Sequence, residues 1–494
     1  MAVAPEIEQS VQMRLYSLNK RQFVMVFVIF FICFGITVLI GIAGPPIIET
    51  ETYNLSSLGQ VESNVNMMTG PFALKSPPMS TFHQQLWLIA HILTDNKQGT
   101  RIEQTFTVSV LIGGIKVTED SLVQSDNPGL DGKAHNRTRL LSCQQECSDL
   151  ILFHLGYLDY NYYIINVRFE GLVQQTNFNI ENIVFYFKSY NTSFTKLEIW
   201  LRFTFLTCTF IAACLFSHSL RKFTMQDWSI EQKWMAVLMP LQLLYNDPLF
   251  PLRFLVDSWI PGMLDGLFQA TFLCALLLFW LCIYHGVRQT DRRFWKFYSL
   301  KVLIVGMIWI SAVTLSSWQE YNELQDPTYF YRLDTSNFMG FKIFFFIVGG
   351  GVYLLYLLFL LVRAYTELRS MPYFDLRLKF MTLLMLIVLS ISITITVLKF
   401  GRAALQDNFV AELSSHYKNS AEFVAFYGLL NIYMFTMAFV YSPTNNAVFE
   451  THFKDNPGLS MMNDSDEEVH YGSETESVGM TRVRPAAVGK YDSD

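Results

Sequence analysis

Residues 197–216 read LEIWLRFTFLTCTFIAACLF, a run long enough to cross a bilayer as one helix. A hydrocarbon core about 30 Å thick needs roughly 20 predominantly apolar residues in a helix. The same length test is passed, or nearly passed, by residues 23–43, 229–254, 263–284, 297–318, 338–361, 380–398 and 423–441. Seven of these eight segments follow residue 196, which predicts a bundle of seven membrane-spanning helices behind one N-terminal helix.

Composition agrees with a membrane location. Of the 494 residues 51% are hydrophobic, 43 are Phe and only 16% are charged, which is too apolar for one soluble core. Most of the net charge of −6 lies in residues 451–494, which hold nine acidic and four basic side chains. The remaining chain is close to neutral and has no broad basic surface, so the sequence argues against nucleic acid as a partner.

Lys and Arg in alternate loops indicate the orientation. Arg221 and Lys222 follow the second segment, and further basic residues follow the fourth and sixth, whereas the intervening loops are acidic. Because basic loops favour the cytoplasmic side, both termini are predicted to be cytoplasmic if all eight segments are retained. Residues 41–43, Gly-Ile-Ala, offer an alternative as a signal-peptidase site, but the run at 23–43 is longer than a signal core and favours an anchor.

Residues 44–196 have the length of one domain and show two-residue alternation, the pattern of strands. In residues 105–112, Phe106, Val108 and Val110 alternate with Thr and Ser. Residues 165–169 repeat the alternation, and residues 183–188 form a third candidate strand. With turn-rich stretches between such runs, we expect a lumenal or extracellular antiparallel β-sandwich rather than a parallel fold.

Cysteines and sequons agree with a secretory compartment for this domain. Cys143 and Cys147 are the only two of the seven cysteines in it, and the expectation is one disulfide, with two separate buried thiols as the alternative. Three N-glycosylation triplets begin at Asn54, Asn136 and Asn191. The nearby histidines lack the spacing of zinc ligands, so no metal is predicted.

The stretch WMAVLMPLQLLYNDPLFP at residues 234–251 departs from a plain helix. Three prolines and an acid interrupt it, and a helix ending before Pro248 is too short to span. Asp247 then becomes a candidate for function, with a buried structural hydrogen bond as the alternative. Asp265 and Gln269 lie one helical turn apart in the next segment, where they either line a cavity or tie helices together. The candidate cavity residues are Tyr245, Asn246, Asp247, Pro248, Asp265 and Gln269.

Catalytic motifs are missing from this sequence. It contains no His-Glu-x-x-His and no Gly-x-Ser-x-Gly, and nothing supports a carboxylate dyad of Asp247 and Asp265. The chain is therefore predicted not to be an enzyme and to need no cofactor.

Three stretches resemble the GOLD-domain seven-transmembrane family related to Wntless: FTKLEIWLRF at residues 194–203, YNDP at 245–248 and WIPGMLD at 259–265. The likeness covers residues 23–443. It implies a compact lumenal β-sandwich of the GOLD type above a helical bundle with a lipid-accessible cavity. It also implies roles in secretory-pathway trafficking, since Wntless itself carries a lipid-modified protein; no residue match extends Wnt binding to this chain.

The expected organisation has five parts. They are a cytoplasmic N-terminus at 1–22, a signal anchor at 23–43, a GOLD-like β domain at 44–196, a seven-helix bundle at 197–443 and an acidic, disordered cytoplasmic tail at 444–494. The tail holds Ser465 and Ser473 in acidic, phosphoacceptor-like surroundings, although a merely solvated terminus would look the same.

The sequence is compatible with two functions. The first is an orphan trafficking or cargo receptor of the Golgi and secretory pathway, reaching the plasma membrane, with a secreted or lipid-modified protein at the β domain and a phospholipid or acyl chain in the cavity. Cytoplasmic trafficking factors would then read the tail. The second is a signalling receptor, similar to G-protein-coupled receptors, or a channel using the same cavity.

Overall fold

The computed structural model describes residues 11–54, 69–94, 102–118, 121–124, 133–143, 147–172, 180–286, 294–329, 349–368, 379–380, 382–392 and 419–444. The predicted tail, with Ser465 and Ser473, lies outside these residues apart from its first position. Nine strands in two antiparallel sheets make up the β domain, and eight apolar helices of at least 11 residues make up most of the remaining described chain, with single helical turns at Arg14–Ser17 and Phe294–Phe297.

The strands are β1 Ile48–Asn54, β2 Phe72–Lys75, β3 Leu86–Thr94, β4 Ile102–Thr118, β5 Ser121–Gln124, β6 His135–Cys143, β7 Leu150–Leu155, β8 Tyr162–Glu170 and β9 Ile180–Tyr190. One sheet has the order β1-β9-β3-β7; the other has the order β2-β8-β4-β5, with β6 also paired to β4. Side chains from both sheets share one buried core, so the fold is the predicted antiparallel sandwich.

The alternation found in the sequence corresponds to the inward faces of β4 and β8. Phe106, Val108 and Val110 are at most 3% exposed, and Ile165 and Val167 are fully buried. Because strand side chains alternate between faces, the intervening Thr and Ser residues turn away from this core. Cys143 and Cys147 form a disulfide at the end of β6.

The helices are α1 Lys20–Ile42, α2 Thr192–Leu220, α3 Ile230–Tyr245, α4 Ile260–Gly286, α5 Ser299–Gln325, α6 Gly349–Leu368, α7 Thr382–Ser392 and α8 Ser420–Tyr441. Within the described residues, six of them are long and apolar enough to span a membrane, namely all except α3 and α7. The count of seven spans after residue 196 is therefore not confirmed, because α3 has 16 residues and only 11 residues of α7 are described.

Local sequence explains where α2 and α3 begin. The Asn191 side chain accepts a hydrogen bond from the Ser193 backbone N–H at 2.8 Å, so α2 starts five residues before the predicted span at 197. At α3, Ser229 and Gln232 form a reciprocal capping box. Sequence hydropathy locates the lipid-spanning part of a helix, whereas its first turn is set by the cap.

Close helix contacts occur where side chains are small. A Cβ on Gly262 would lie 2.4 Å from Glu320 Oε2, and one on Gly266 would lie 2.3 Å from Ser316 Oγ, so α4 approaches α5 closely along this face. Elsewhere in the described bundle, α1 packs on α8, where a Cβ on Gly428 would lie 2.7 Å from the Thr37 side chain. The N-terminal helix is thus packed into the bundle.

Candidate functional site

The end of α3 shapes the centre of the candidate site. The helix stops at Tyr245, and Asp247 adopts a φ of 48°, in the left-handed region that Asp tolerates better than most residues. Its carboxylate accepts a hydrogen bond from the Leu249 backbone N–H at 3.1 Å, and a 3₁₀ turn at Phe250–Phe254 follows. The predicted helix break is therefore present, and it directs Asp247 towards α2.

Arg202 of α2 lies at the centre of the site. Its guanidinium donates to Glu198 Oε1 at 3.0 and 3.1 Å and to Asp265 Oδ1 at 3.1 Å, and it lies 3.8 Å from Asp247 Oδ2. The Phe250 ring centroid is 4.2 Å from the Arg202 Cζ atom. Since Arg202 is only 6% exposed, three carboxylates and one aromatic ring replace water around its charge.

This Arg202 cluster, comprising Arg202, Glu198, Asp247 and Asp265, also joins the bundle to the β domain. Gln84, just before β3, donates to Thr195 Oγ1 at 3.0 Å and to Glu198 Oε2 at 3.3 Å. The polar side chains of this joint come from Gln84 of the sandwich, from α2 and α4, and from Asp247 in the turn after α3. A movement of the sandwich would therefore change the hydrogen bond that Gln84 donates to the buried Glu198 carboxylate.

A cavity of about 110 Å³ lies beside the cluster. Its walls come from the sandwich and from α2, α4 and α8, and include Gln85, Tyr190, Arg253, Asp265, Gln269 and Tyr427. Sites for small-molecule ligands usually enclose 300–1,000 Å³, so this cavity has room for a few waters or a small polar group only. A phospholipid or acyl chain would need a wider junction than this structure has.

The predicted cavity residues divide into two sets. Tyr245, Asp265 and Gln269 line the cavity, and Gln269 donates to Asp265 Oδ1 at 2.8 Å. Asn246 is fully buried among α2, α3 and α8, and Asp247 reaches the site only through Arg202. Pro248 is exposed and does not line the cavity, because it lies in the turn that leads away from α3.

A second contact between the sandwich and the bundle lies at the end of α5. Arg137 of β6 donates to Asp326, and Arg139 of β6 donates to the Thr328 carbonyl at 2.6 Å. His154 Nδ1 of β7 lies 3.3 Å from Glu323 Oε2, and the His154 backbone N–H donates to the Pro327 carbonyl at 2.7 Å. The residues after α5 are therefore held along the edge of the sandwich.

Asp326 is ionised in this setting. Burial alone would raise the pKa of its carboxyl, but hydrogen bonds from Thr328 and Arg137 outweigh that penalty and hold the pKa below its usual value. His135 Nδ1 lies 3.2 Å from the same carboxylate.

Sequence reasoning missed several members of the site, above all Glu198, Arg202, Arg253 and Gln84. Glu198 and Arg202 did carry a signal, since an acid and a base four residues apart inside a spanning run lie on one helix face and can pair. Gln84 and Arg253 gave no such signal, because their partners are distant in the chain.

The remaining predicted sites lie apart from the cavity. Asn136 is exposed on β6, Asn54 is exposed at the end of β1, and Asn191 caps α2. Among the residues that the structure describes, no three His, Cys, Asp or Glu side chains come together as a metal site.

The fold and this site define a class: a multi-pass membrane protein whose antiparallel β domain is inserted between an N-terminal helix and a helical bundle. Comparison with family models finds "TMEM181, GOLD domain" at residues 70–190 and "Wntless-like, transmembrane domain" at residues 191–445. The chain is 54% identical to transmembrane protein 181 of Homo sapiens over 492 residues, covering 99% of this chain and 100% of that protein. It therefore belongs to the family of transmembrane protein 181, within the wider Wntless-like group.

More distant relatives are the wntless proteins. A wntless homolog of Caenorhabditis elegans is 24% identical over 393 residues, covering 70% of each chain. Wntless homolog B of Xenopus laevis is 26% identical over 345 residues, covering 64% of this chain and 62% of that protein.

Proposed function

We propose that this chain is a cargo receptor of the secretory pathway, which binds its cargo where the GOLD domain meets the helical bundle. The observation that supports this most directly is the cavity of about 110 Å³ whose walls come from both parts of the molecule. A ligand held there contacts the sandwich and the bundle together. Its binding is then coupled to the Arg202 cluster and, through the helices, to the cytoplasmic side.

The chemistry of the joint favours binding over catalysis. Asp247 and Asp265, the pair of carboxylates considered for acid–base work, both face the Arg202 guanidinium, and Asp265 also accepts from Gln269. Carboxylates engaged in this way serve to hold the guanidinium, whereas a general base needs access to a substrate proton. Our proposal therefore assigns no enzymatic activity to the chain.

The proposal includes orientation and location. Basic loops favour cytoplasmic termini and a lumenal GOLD domain, and we infer that this lumen is that of the Golgi and related compartments. Relationship to the wntless proteins supports a role in trafficking. Cargo of a secreted or lipid-modified kind would reach the cavity only when the junction between the sandwich and α2 widens, because the present volume is below that of ordinary ligand sites.

A secretion experiment tests the proposal. Cells lacking the chain should secrete less of a defined set of proteins, and the full-length chain should restore them. Gln269→Phe, which fills the cavity with a larger side chain, should reach the cell membranes in normal amount but fail to restore secretion. Arg168→Ala, on an exposed position of β8, is the matched control and should restore it fully. An unchanged set of secreted proteins in the deleted cells would overturn the proposal.

A further inference from the structure

His154 of β7 is buried where the sandwich meets the end of α5. It is 3% exposed, and its ring stacks on Trp87 of β3 with the ring centroids 3.7 Å apart. Its Nδ1 atom lies 3.3 Å from Oε2 of Glu323, a residue of α5 that is 7% exposed. An imidazole of the sandwich and a carboxylate of the bundle thus face each other with little access to water.

Hydrogen bonding leaves this pair incomplete. Among the residues that the structure describes, neither ring nitrogen of His154 has a hydrogen-bond partner, and Glu323 Oε1 has none. Within the same residues, no basic side chain other than His154 forms an ion pair with Glu323. Buried polar groups are normally paired, so an unpaired imidazole beside an unpaired carboxylate is a candidate for a functional role.

Three further titratable side chains face His154 from the elements around it. A cavity of about 20 Å³ lies at this junction, and it is lined by His154 and Glu323 together with Glu320 of α5, Arg253 of the 3₁₀ turn and Tyr157 after β7. This volume holds about one water molecule, through which a proton exchanges with the ring. Arg253 lies 3.9 Å from Glu320, so in the described part of the chain Glu323 has no cation beside it when His154 is neutral.

A second histidine at the same junction is in a different situation. His135 Nδ1 lies 3.2 Å from Asp326 Oδ1, but Asp326 also accepts a hydrogen bond from Arg137. The side chains of His135 and Asp326 are 21% and 26% exposed, so water screens their interaction. Arg137 compensates Asp326 whatever the charge of His135, whereas Glu323 depends on His154.

We propose that His154 is a pH sensor whose protonation tightens the contact between the sandwich and α5. Histidine is the side chain that ordinarily changes its charge between about pH 5 and 8. A neutral imidazole leaves the buried charge of Glu323 uncompensated, whereas an imidazolium cancels it. The closed contact is then the state that holds the proton, so it gains stability as the pH falls and loses it as the pH rises.

A change at this contact also reaches the larger cavity beside the Arg202 cluster. Gln85 and Arg253 line both cavities, so the two share part of their walls. With a lumenal sandwich, the contact is tight in acidic compartments and looser at the neutral cell surface. The sensor goes beyond the proposed cargo binding, since it acts within the chain whether or not a ligand occupies the larger cavity.

Hydrogen exchange of the purified full-length protein in detergent tests the sensor on the unaltered chain. The His154 backbone N–H donates to the Pro327 carbonyl at 2.7 Å, so its protection from exchange reports the closed contact. After correction for the intrinsic pH dependence of exchange, protection of the shortest peptide containing this amide should be about fivefold greater at about pH 5.5 than at about pH 7.5. Equal protection at the two pH values would overturn the proposal.

Variants assign the response to one imidazole. His154→Gln keeps a polar side chain but takes up no proton, so protection should become equal at the two pH values. Glu323→Gln should have the same effect, because it removes the charge that the imidazolium cancels. His135→Gln, at the same junction, is the matched control and should keep the difference. A difference that survives in His154→Gln or Glu323→Gln, or one that disappears in His135→Gln, would show that His154 is not the sensor.

Discussion

Arg202 shows how a charged residue is accommodated within a membrane-spanning helix. A buried guanidinium is costly unless its charge and donors are matched, and here Glu198 on the same helix and Asp265 on α4 accept its hydrogen bonds. Burying the Glu198 or Asp265 carboxylate without the guanidinium would be costly in the same way. The three groups are therefore interdependent, and loss of the cation affects every other member.

Arg202→Met tests this interdependence. Removing one member of a buried ion pair typically costs about 3–5 kcal/mol, because the partner charges stay buried and uncompensated. We expect a loss of that size in thermal or denaturant unfolding in detergent, with partial recovery in Arg202→Lys, which cannot donate two parallel hydrogen bonds. Arg168→Met, at an exposed position, should change stability by less than about 0.5 kcal/mol. A loss no larger than that of the control would contradict the role given to Arg202.

Asp326 gives a prediction about pH. Because the folded-state pKa of its carboxyl is lowered, its contribution to stability is present above the unfolded pKa of about 4 and is lost as the pH falls through the folded value. The stability difference between Asp326 and Asp326→Asn should stay constant from pH 7 to about pH 5 and shrink below about pH 4. Both proteins should carry His135→Gln, which removes the imidazole whose Nδ1 lies 3.2 Å from this carboxylate. A difference that shrinks already between pH 7 and 6 would contradict this assignment.

At the level of elements, helix contacts in the bundle depend on where small residues fall. At Gly428 of α8, Thr37 of α1 comes so close that a Cβ would lie 2.7 to 2.8 Å from its side-chain atoms. Gly35 of α1 differs, since a Cβ there would meet no atom within 4 Å. The two positions make a matched pair for testing the α1–α8 contact.

Gly428→Ala should destabilise the protein by about 1–3 kcal/mol through overpacking, whereas Gly35→Ala should be neutral or stabilising by up to about 1 kcal/mol through helix propensity. Thr37→Ala should recover part of the Gly428→Ala loss, because it removes two of the three clashing atoms. Melting midpoints in detergent of Gly428→Ala, Gly35→Ala, Thr37→Ala and the double variant Thr37→Ala/Gly428→Ala measure these effects. Equal effects at the two glycines would mean that α1 and α8 do not pack as described.

Elements differ in how far sequence alone predicts them. Hydropathy predicts α4 at residues 263–284 and the helix runs from Ile260 to Gly286, because a lipid-spanning helix must be apolar over a known length. Alternation likewise predicts β4 and β8. The partners of Arg202 could not be predicted in this way, since Asp265 lies 63 residues further along the chain and only tertiary packing brings it near.

Among the residues that the structure describes, the polar contacts between the β domain and the bundle include two separate groups. Gln84 contacts the start of α2, and β6 and β7 hold the residues after α5. Because the two contacts are separate, each restricts rotation of the β domain about the other. A ligand at the cavity would be placed beside the first contact, while the second keeps the sandwich attached.

Glycosylation reports which side of the membrane the sandwich occupies. Asn136 is exposed on β6, whereas the Asn191 side chain caps a spanning helix. We expect Asn136 to carry a glycan, so that glycosidase treatment increases gel mobility and Asn136→Gln reproduces part of that increase. Asn191→Gln should leave the glycan pattern unchanged. An untreated protein that already migrates at its unmodified mass would contradict a lumenal sandwich.

Whether α1 is cleaved or retained determines the membrane topology of the mature chain. Cleavage after residue 43 would remove a helix that packs along α8, where a Cβ on Gly41 would lie 2.5 Å from the Ala421 Cα atom. At the other end of the same helix, the Arg14 backbone N–H donates to the Ser442 carbonyl at 2.9 Å, which ties residues 11–17 to the end of α8. We therefore expect α1 to remain in the mature protein.

An epitope tag placed before residue 1 should consequently stay on the glycosylated protein and be detectable only after the plasma membrane is permeabilised. A second tag in the exposed stretch beside Asn136 should be accessible on intact cells for the fraction that reaches the surface. A matched chain with the same tag but a cleavable signal in place of residues 1–43 shows the pattern expected if α1 were removed. Loss of the N-terminal tag from the glycosylated form of the unaltered chain would rule out a retained anchor and place the true N-terminus in the lumen.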